Sequence, residues 1–103
     1  MIQARITKQN NHIQEIVVKG HANSAPYGQD LVCAEVSAIL FGLCNAIDEA
    51  KLDCDISIQK NTIAIKVITD SAKLQHMLQV GLIQLQTVEQ TNQNFIQVNI
   101  LEV

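Results

Sequence analysis

"LDCDISIQKNTIAIKVI", residues 52–68, carries the period of a sheet more plainly than any other stretch of the chain. Leu52, Cys54, Ile56 and Ile58 alternate with Asp53, Asp55 and Ser57, so one face is apolar and the other polar. Lys60-Asn61 suits a two-residue turn, and that turn sets Ile58 beside Ile63 and Ile56 beside Ile65. In this register both strands present their isoleucines to the same layer, which something must cover.

Working outward, residues 2–8 place Ile2, Ala4 and Ile6 on one face, and "QNNH" supplies turn chemistry before a second strand at 13–19 with Ile16 and Val18 inward. A helix is predicted from about Leu31 to about Ala50. Asp70 and Ser71 both suit an N-cap, and Leu74, Leu78, Gly81, Leu85 and Val88 form one stripe of a second helix. "FIQVNIL" closes the chain as a strand, with Ile96, Val98 and Ile100 alternating against Gln97 and Asn99. The predicted fold is therefore α+β, a single-domain two-layer sandwich over residues 1–103 in the order ββαββαβ. Its sheet has about five mostly antiparallel strands, and two helices cover one face.

Composition narrows the function. The 103 residues are 48% hydrophobic and 17% charged, which fits a compact globule. A net charge of −3 with seven scattered basic residues argues against nucleic acid as a partner. No uninterrupted run of eighteen apolar residues occurs, and the N-terminus lacks a signal peptide's apolar core. The expectation is a cytoplasmic protein with no membrane partner. Cys33, Cys44 and Cys54 contain no CxxC pair, so neither a disulfide framework nor zinc is implied. His12 reads as a turn residue and His76 as a helix-surface residue; no metal and no cofactor are expected. Cys44 and Cys54 read as core, and Asp53 and Asp55 as a solvated face.

The first helix, "LVCAEVSAILFGLCNAI", is apolar nearly all the way round. Either it lies deep between the sheet and the second helix, or its outer face packs on a second copy as a homodimer. Both can hold together.

Upstream lies "GHANSAPYGQD", residues 20–30, a long loop carrying His21. Asp30 suits an N-cap, which would make Leu31, Val32 and Cys33 the first helical residues. A thiol there gains from the helix dipole, although that effect alone is worth only ~0.3–1 kcal/mol. An imidazolium is needed to populate the thiolate, and His21 is in the right neighbourhood. Cys–His chemistry suits acyl transfer. The amides of Cys33 and Ala34 are candidate oxyanion donors, and Ser37 follows one turn later on the same helix face. Asp30 can cap the helix, orient His21, or both. On spacing alone, Cys33 as an ordinary buried residue stays open.

The stretch "GHANSAPYGQDLVCAEVSAILFG" resembles the core motif of the Prp family of ribosomal-processing cysteine proteases. That pattern is Gly-His-Ala, a loop, then Gly-x-Asp-[Ile/Leu]-Val-Cys-Ala-x-Val-[Ser/Thr]-Ala. Gly20, His21, Ala22, Gly28, Asp30 through Ala34 and Val36 through Ala38 match it, with the same His-to-Cys spacing. The resemblance implies a cytoplasmic homodimer that removes the N-terminal extension of a large-subunit ribosomal protein, cutting after apolar aromatic residues. It implies Cys33 as nucleophile and His21 as general base and acid. Asp30, Ser37, Ala34, Gly20 and Gly28 would be supporting or substrate-binding, and the 22–30 loop would close over substrate. Glu35 stands where many members have a small residue, and its helix position turns it toward solvent. A mobile His21 loop would let the Cys–His pair assemble only on substrate binding. The rival readings are a thiol redox protein using Cys33 and a non-catalytic ribosome-assembly binding module.

Overall fold

The computed structural model describes residues 1–20 and 29–103, with the side chains of Gln29 and Asp30 outside the described part. The elements follow the expected order: β1 (Ile2–Gln9), β2 (His12–Lys19), α1 (Gln29–Glu49), β3 (Cys54–Gln59), β4 (Thr62–Val67), α2 (Ala72–Thr91) and β5 (Ile96–Glu102). The strands form one five-stranded sheet in the order β3-β4-β2-β1-β5. All neighbours are antiparallel except β1 and β5.

This order makes each helix a crossover. Both β2 and β3 are antiparallel to β4, so α1 connects two parallel strands by passing over β4. By the same logic α2 passes over β2 and β1 to deliver β5 parallel to β1. Both helices therefore run opposite to the strands they join. The N-terminus of α1 lies at one end of the sandwich, with the ends of β2 and β3 and the starts of β1 and β5. The N-terminus of α2 lies at the other, with the β1–β2 turn.

The hairpin that opened the sequence reading holds its register. Ile56 faces Ile65 and Ile58 faces Ile63 across β3 and β4. The ladder extends inward, with Ile63 beside Val18 and Ile65 beside Ile16. A bulge between Thr7 and Lys8 changes the parity of β2, so Ile13 and Ile16 are both buried. On the open face Asp55, Lys66 and Glu15 lie side by side on three strands, alternating in charge as a solvated face should.

The core is filled by Ile2, Ala4, Ile6, Ile16, Val18, Ile63 and Ile65 below and by helix stripes above. These stripes are Val32, Val36, Leu40, Leu43, Cys44 and Ile47 on α1, and Leu74, Leu78, Leu82 and Leu85 on α2. Ser71 caps α2, its hydroxyl accepting from the Leu74 amide at 3.1 Å.

Three expectations need correction. α1 is not buried all round: Leu31, Ala34, Ala38, Phe41, Gly42 and Ala46 are exposed on its outer face. Leu31–Glu49 also reaches a mean hydropathy of 1.7, long and apolar enough to cross a membrane by composition, although its inward stripe is the core of this sandwich. Ile58 belongs to the core-facing row yet is 52% exposed, because neither helix covers that end of β3.

Candidate active site

α1 begins at Gln29, two residues earlier than its sequence suggested, so Asp30 is the second helical residue and not the cap. A helix starting there carries the amides of Cys33 and Ala34 into its i→i−4 ladder, to Gln29 and Asp30. They are then not open donors for an oxyanion, and Cys33 sits at the fringe of the first-turn dipole.

At 100° per residue, Val32 and Val36 point into the core while Ala34 and Glu35 face solvent. Cys33 and Ser37, one turn apart, lie on the boundary between them, and both are half-buried. Cys33 packs against the edge of the core cluster. Glu35 is exposed, as its helix position implied.

Gly20 directly follows β2 and precedes His21. Its φ is +92°, and its amide donates to the Asn61 carbonyl at 3.1 Å. A Cβ there would stand 2.6 Å from the Met1 carbonyl oxygen. Only glycine fits both the angle and the space, so this residue fixes how the chain leaves the sheet toward His21. His21, Gly28 and the rest of 21–28 lie outside the described residues, as does the expected closing of that loop.

Burial of Cys44 pushes its thiol pKa up. Cys54, half-buried, is also raised, by desolvation first and then by the Asp53 carboxylate and the neighbouring Cys44. Neither environment favours a thiolate.

Sequence reading missed one polar cluster entirely. His12 is the first residue of β2 and its Nδ1 lies 2.7 Å from Asp70 Oδ2. Asp70 Oδ1 accepts from the Ser71 amide and from Gln75 Nε2, at 2.8 and 3.0 Å. Gln75 in turn spans the Ile13 backbone, accepting from its amide and donating to its carbonyl at 2.8 and 2.7 Å. The cluster ties the β1–β2 hairpin to the start of α2, at the end of the sandwich away from Cys33. Asp53, expected to be merely solvated, accepts from the Thr69 hydroxyl at 2.7 Å. No group of three metal-ligating side chains occurs among the described residues.

Comparison with known proteins bears on this arrangement. Residues 1–97 match the model of a family described as cysteine protease Prp. A ribosomal processing cysteine protease Prp from Staphylococcus aureus is 33% identical over 104 residues, spanning 96% of this chain and 98% of the relative. One of the same description from Bacillus subtilis is 50% identical over 48 residues, 46% of this chain and 43% of the relative. The crystal structure of the S. aureus essential ribosomal processing protease Prp in complex with a substrate peptide superposes with a TM-score of 0.91 at 31% identity, covering 97% and 99% of the two chains.

Proposed function

The chain belongs to the Prp family of cysteine proteases, and we propose that it cleaves a peptide bond with Cys33 as nucleophile and His21 as general base and acid. It is a cysteine protease that serves ribosomal protein processing. Residues 1–103 act as one protease domain. The substrate is the N-terminal extension of a large-subunit ribosomal protein, met in the cytoplasm as a peptide. The observation that carries the assignment is Cys33 itself, the one half-buried thiol in the N-terminal part of α1, in a fold shared with a peptide-bound Prp.

In this reading His21 takes the thiol proton, and Cys33 Sγ attacks the scissile carbonyl carbon. The C–N bond breaks as His21 returns the proton to the leaving amine, and water then hydrolyses the thioester. Because Cys33 sits past the strongest part of the helix dipole, His21 supplies most of the thiolate stabilisation. Gly20 aims the His21 segment, Asp30 and Ser37 flank the nucleophile on α1, and Gly28 and Ala34 shape the approach to it. Redox chemistry has weaker support. Cys44 lies eleven residues further along α1, about 16 Å away at 1.5 Å per residue, too far to resolve an oxidised Cys33.

The working unit is a homodimer. Support comes from the outer face of α1, where Phe41 is 43% exposed beside Ala38, Gly42 and Ala46. Next to Phe41, the residues Ala38, Gly42 and Ala46 line, with Met77, Val80 and Gly81 of α2, a mostly apolar groove of about 500 Å³ that a second copy would fill.

The test is mass spectrometry of a peptide spanning the extension junction, incubated with wild type, Cys33→Ala and His21→Ala. One cut lost in both variants is the expected result. A cut that survives Cys33→Ala would overturn the assignment.

A further inference from the structure

The two edges of the sheet are finished differently. On β5, the residues facing outward are Ile96, Val98, Ile100 and Glu102. The Ile96 amide donates to the Asn92 carbonyl at 3.1 Å, and the Val98 amide donates to Glu89 Oε2 at 2.6 Å. The half of that edge nearer Cys33 is therefore closed.

The β3 edge is open among the described residues. The Ile68 amide donates to the Asp53 carbonyl, and the β3–β4 register then makes 55/66, 57/64 and 59/62 the hydrogen-bonded pairs. The backbone groups of Cys54, Ile56 and Ile58 consequently point away from the sheet, and among the described residues β3 has no neighbour on that side. Natural sheets usually block such an edge with a charge, a proline or a covering element. Along Cys54–Ile58 the only charge is Asp55, among the described residues no proline or covering element closes the row, and it ends at exposed Ile58.

This edge is level with the nucleophile. α1 runs antiparallel to β3, and Cys44 lies beside Cys54. Eleven residues of helix lift Cys33 about 16 Å from Cys44, and four residues of strand lift Ile58 about 13 Å from Cys54. Cys33 and Ile58 thus stand at nearly the same height. Leu31, 58% exposed on the first turn of α1, lies at that end too.

We infer that the open edge of β3 receives the substrate peptide as an added strand, hydrogen-bonded to the outward backbone groups of Ile56 and Ile58, which delivers the scissile bond at the level of Cys33. This rests on the protease reading above and specifies how that site holds its substrate. The occupant is an extended peptide because the edge offers only a ladder of alternate amides and carbonyls. Alternate side chains of the bound strand face the helix layer and meet Ile56, Ile58 and Leu31, so apolar residues are selected at every second position. Those between face the polar side, beside Ser57 and Gln59.

Amide hydrogen exchange on Cys33→Ala, with and without the uncleaved junction peptide, reads the ladder residue by residue. Protection of the Ile56 and Ile58 amides by tenfold or more, with Ile100 unchanged, is the expected result. Peptide that binds while Ile56 and Ile58 exchange as before would overturn it. So would protection of those amides without peptide that rises with protein concentration, because a second copy would then own the edge. Cleavage by wild type separates the two proposals: a peptide that is cut but leaves β3 unprotected sinks only strand addition, whereas a peptide neither cut nor bound sinks the protease assignment. A second arm uses Ile58→Pro, which removes an outward amide and leaves the β3–β4 ladder intact. KM should rise at least tenfold while Cys33 alkylation stays at the wild-type rate; an unchanged KM would overturn the inference.

Discussion

Glu89 on α2 accepts the amide of Val98 on β5 at 2.6 Å, so a helix side chain completes the outer edge of the sheet. The bond is part-buried, and a hydrogen bond to a charged group contributes about 1.5–3 kcal/mol. Glu89→Ala should lower unfolding free energy by about that much in urea titration. Light scattering should show more self-association, since a bare edge pairs with other chains. Glu89→Gln keeps an acceptor and should recover most of both. Equal losses in the two variants would mean the bond is not what matters at residue 89.

Gly20 can be tested apart from the catalytic residues. Its φ of +92° and the 2.6 Å approach to the Met1 carbonyl both exclude a side chain. Gly20→Ala should cost at least about 1–2 kcal/mol from backbone conformation alone. Activity should fall further than stability explains, because residue 20 directs the segment bearing His21. Peptide cleavage at a temperature where the variant is fully folded checks this. Normal kcat/KM there would confine Gly20 to a structural role.

The cluster of Asp70, His12 and Gln75 should appear in the pH dependence of stability. Hydrogen bonds from His12 first, then Gln75 and the Ser71 amide, hold the Asp70 carboxyl below its ordinary value. A depressed folded pKa means the unfolded chain takes up the proton more readily. The stabilisation is therefore present above the ordinary aspartate range near ~3.9 and is lost as pH falls through the lower folded value. Asp70 keeps 35% of its side-chain surface exposed, and solvent screening makes the effect modest. Wild type should exceed Asp70→Asn in stability at neutral pH, with the gap closing below about pH 4. A gap that is constant down to pH 2 would assign the loss to the cap region and not to charge.

Much of this arrangement is legible in the sequence, for identifiable reasons. The register of Ile56 against Ile65 follows from period-2 alternation across a two-residue turn, and the α2 stripe from Leu74 to Leu85 from a period near four. These are local signals. The start of α1 was misplaced because Asp30 is a good cap residue and nothing nearby reveals that the helix is already under way. Ile58 looks as inward as Ile56, and only the reach of the helix layer separates them. His12 and Asp70 are 58 residues apart, and no sequence spacing joins them. The motif around Cys33 was readable because it is continuous from Gly20 to Ala38. The open β3 edge was not, because edges are set by strand order.

Gly42 bears on the dimer. It lies exposed in α1, and a Cβ there would meet nothing within 4 Å. In a lone chain Gly42→Ala should stabilise by about 0.5–1 kcal/mol through helix propensity. Gly81 differs, since its Cβ would come within 2.8 Å of Leu43 Cδ2, and Gly81→Ala should be neutral or destabilising. Gly42→Trp, by contrast, should leave the folded chain intact and break the dimer in analytical ultracentrifugation. A dimer untouched by that substitution would move the contact off this groove.

Thiol reactivity gives the most direct view of Cys33. Burial raises both Cys44 and Cys54, so at neutral pH their thiolate fractions are small and both are partly shielded. Brief iodoacetamide treatment of the native protein should place one adduct, on Cys33, with Cys44 and Cys54 labelled only at high pH or after unfolding. His21→Ala should slow the Cys33 reaction at pH 7 and shift its pH profile upward, because the helix end contributes less than about one pKa unit by itself. Mass mapping of the alkylated peptides across pH separates these outcomes. If Cys33 reacts equally fast with and without the imidazole, the thiolate is prepared by something other than His21, and the base must be sought elsewhere.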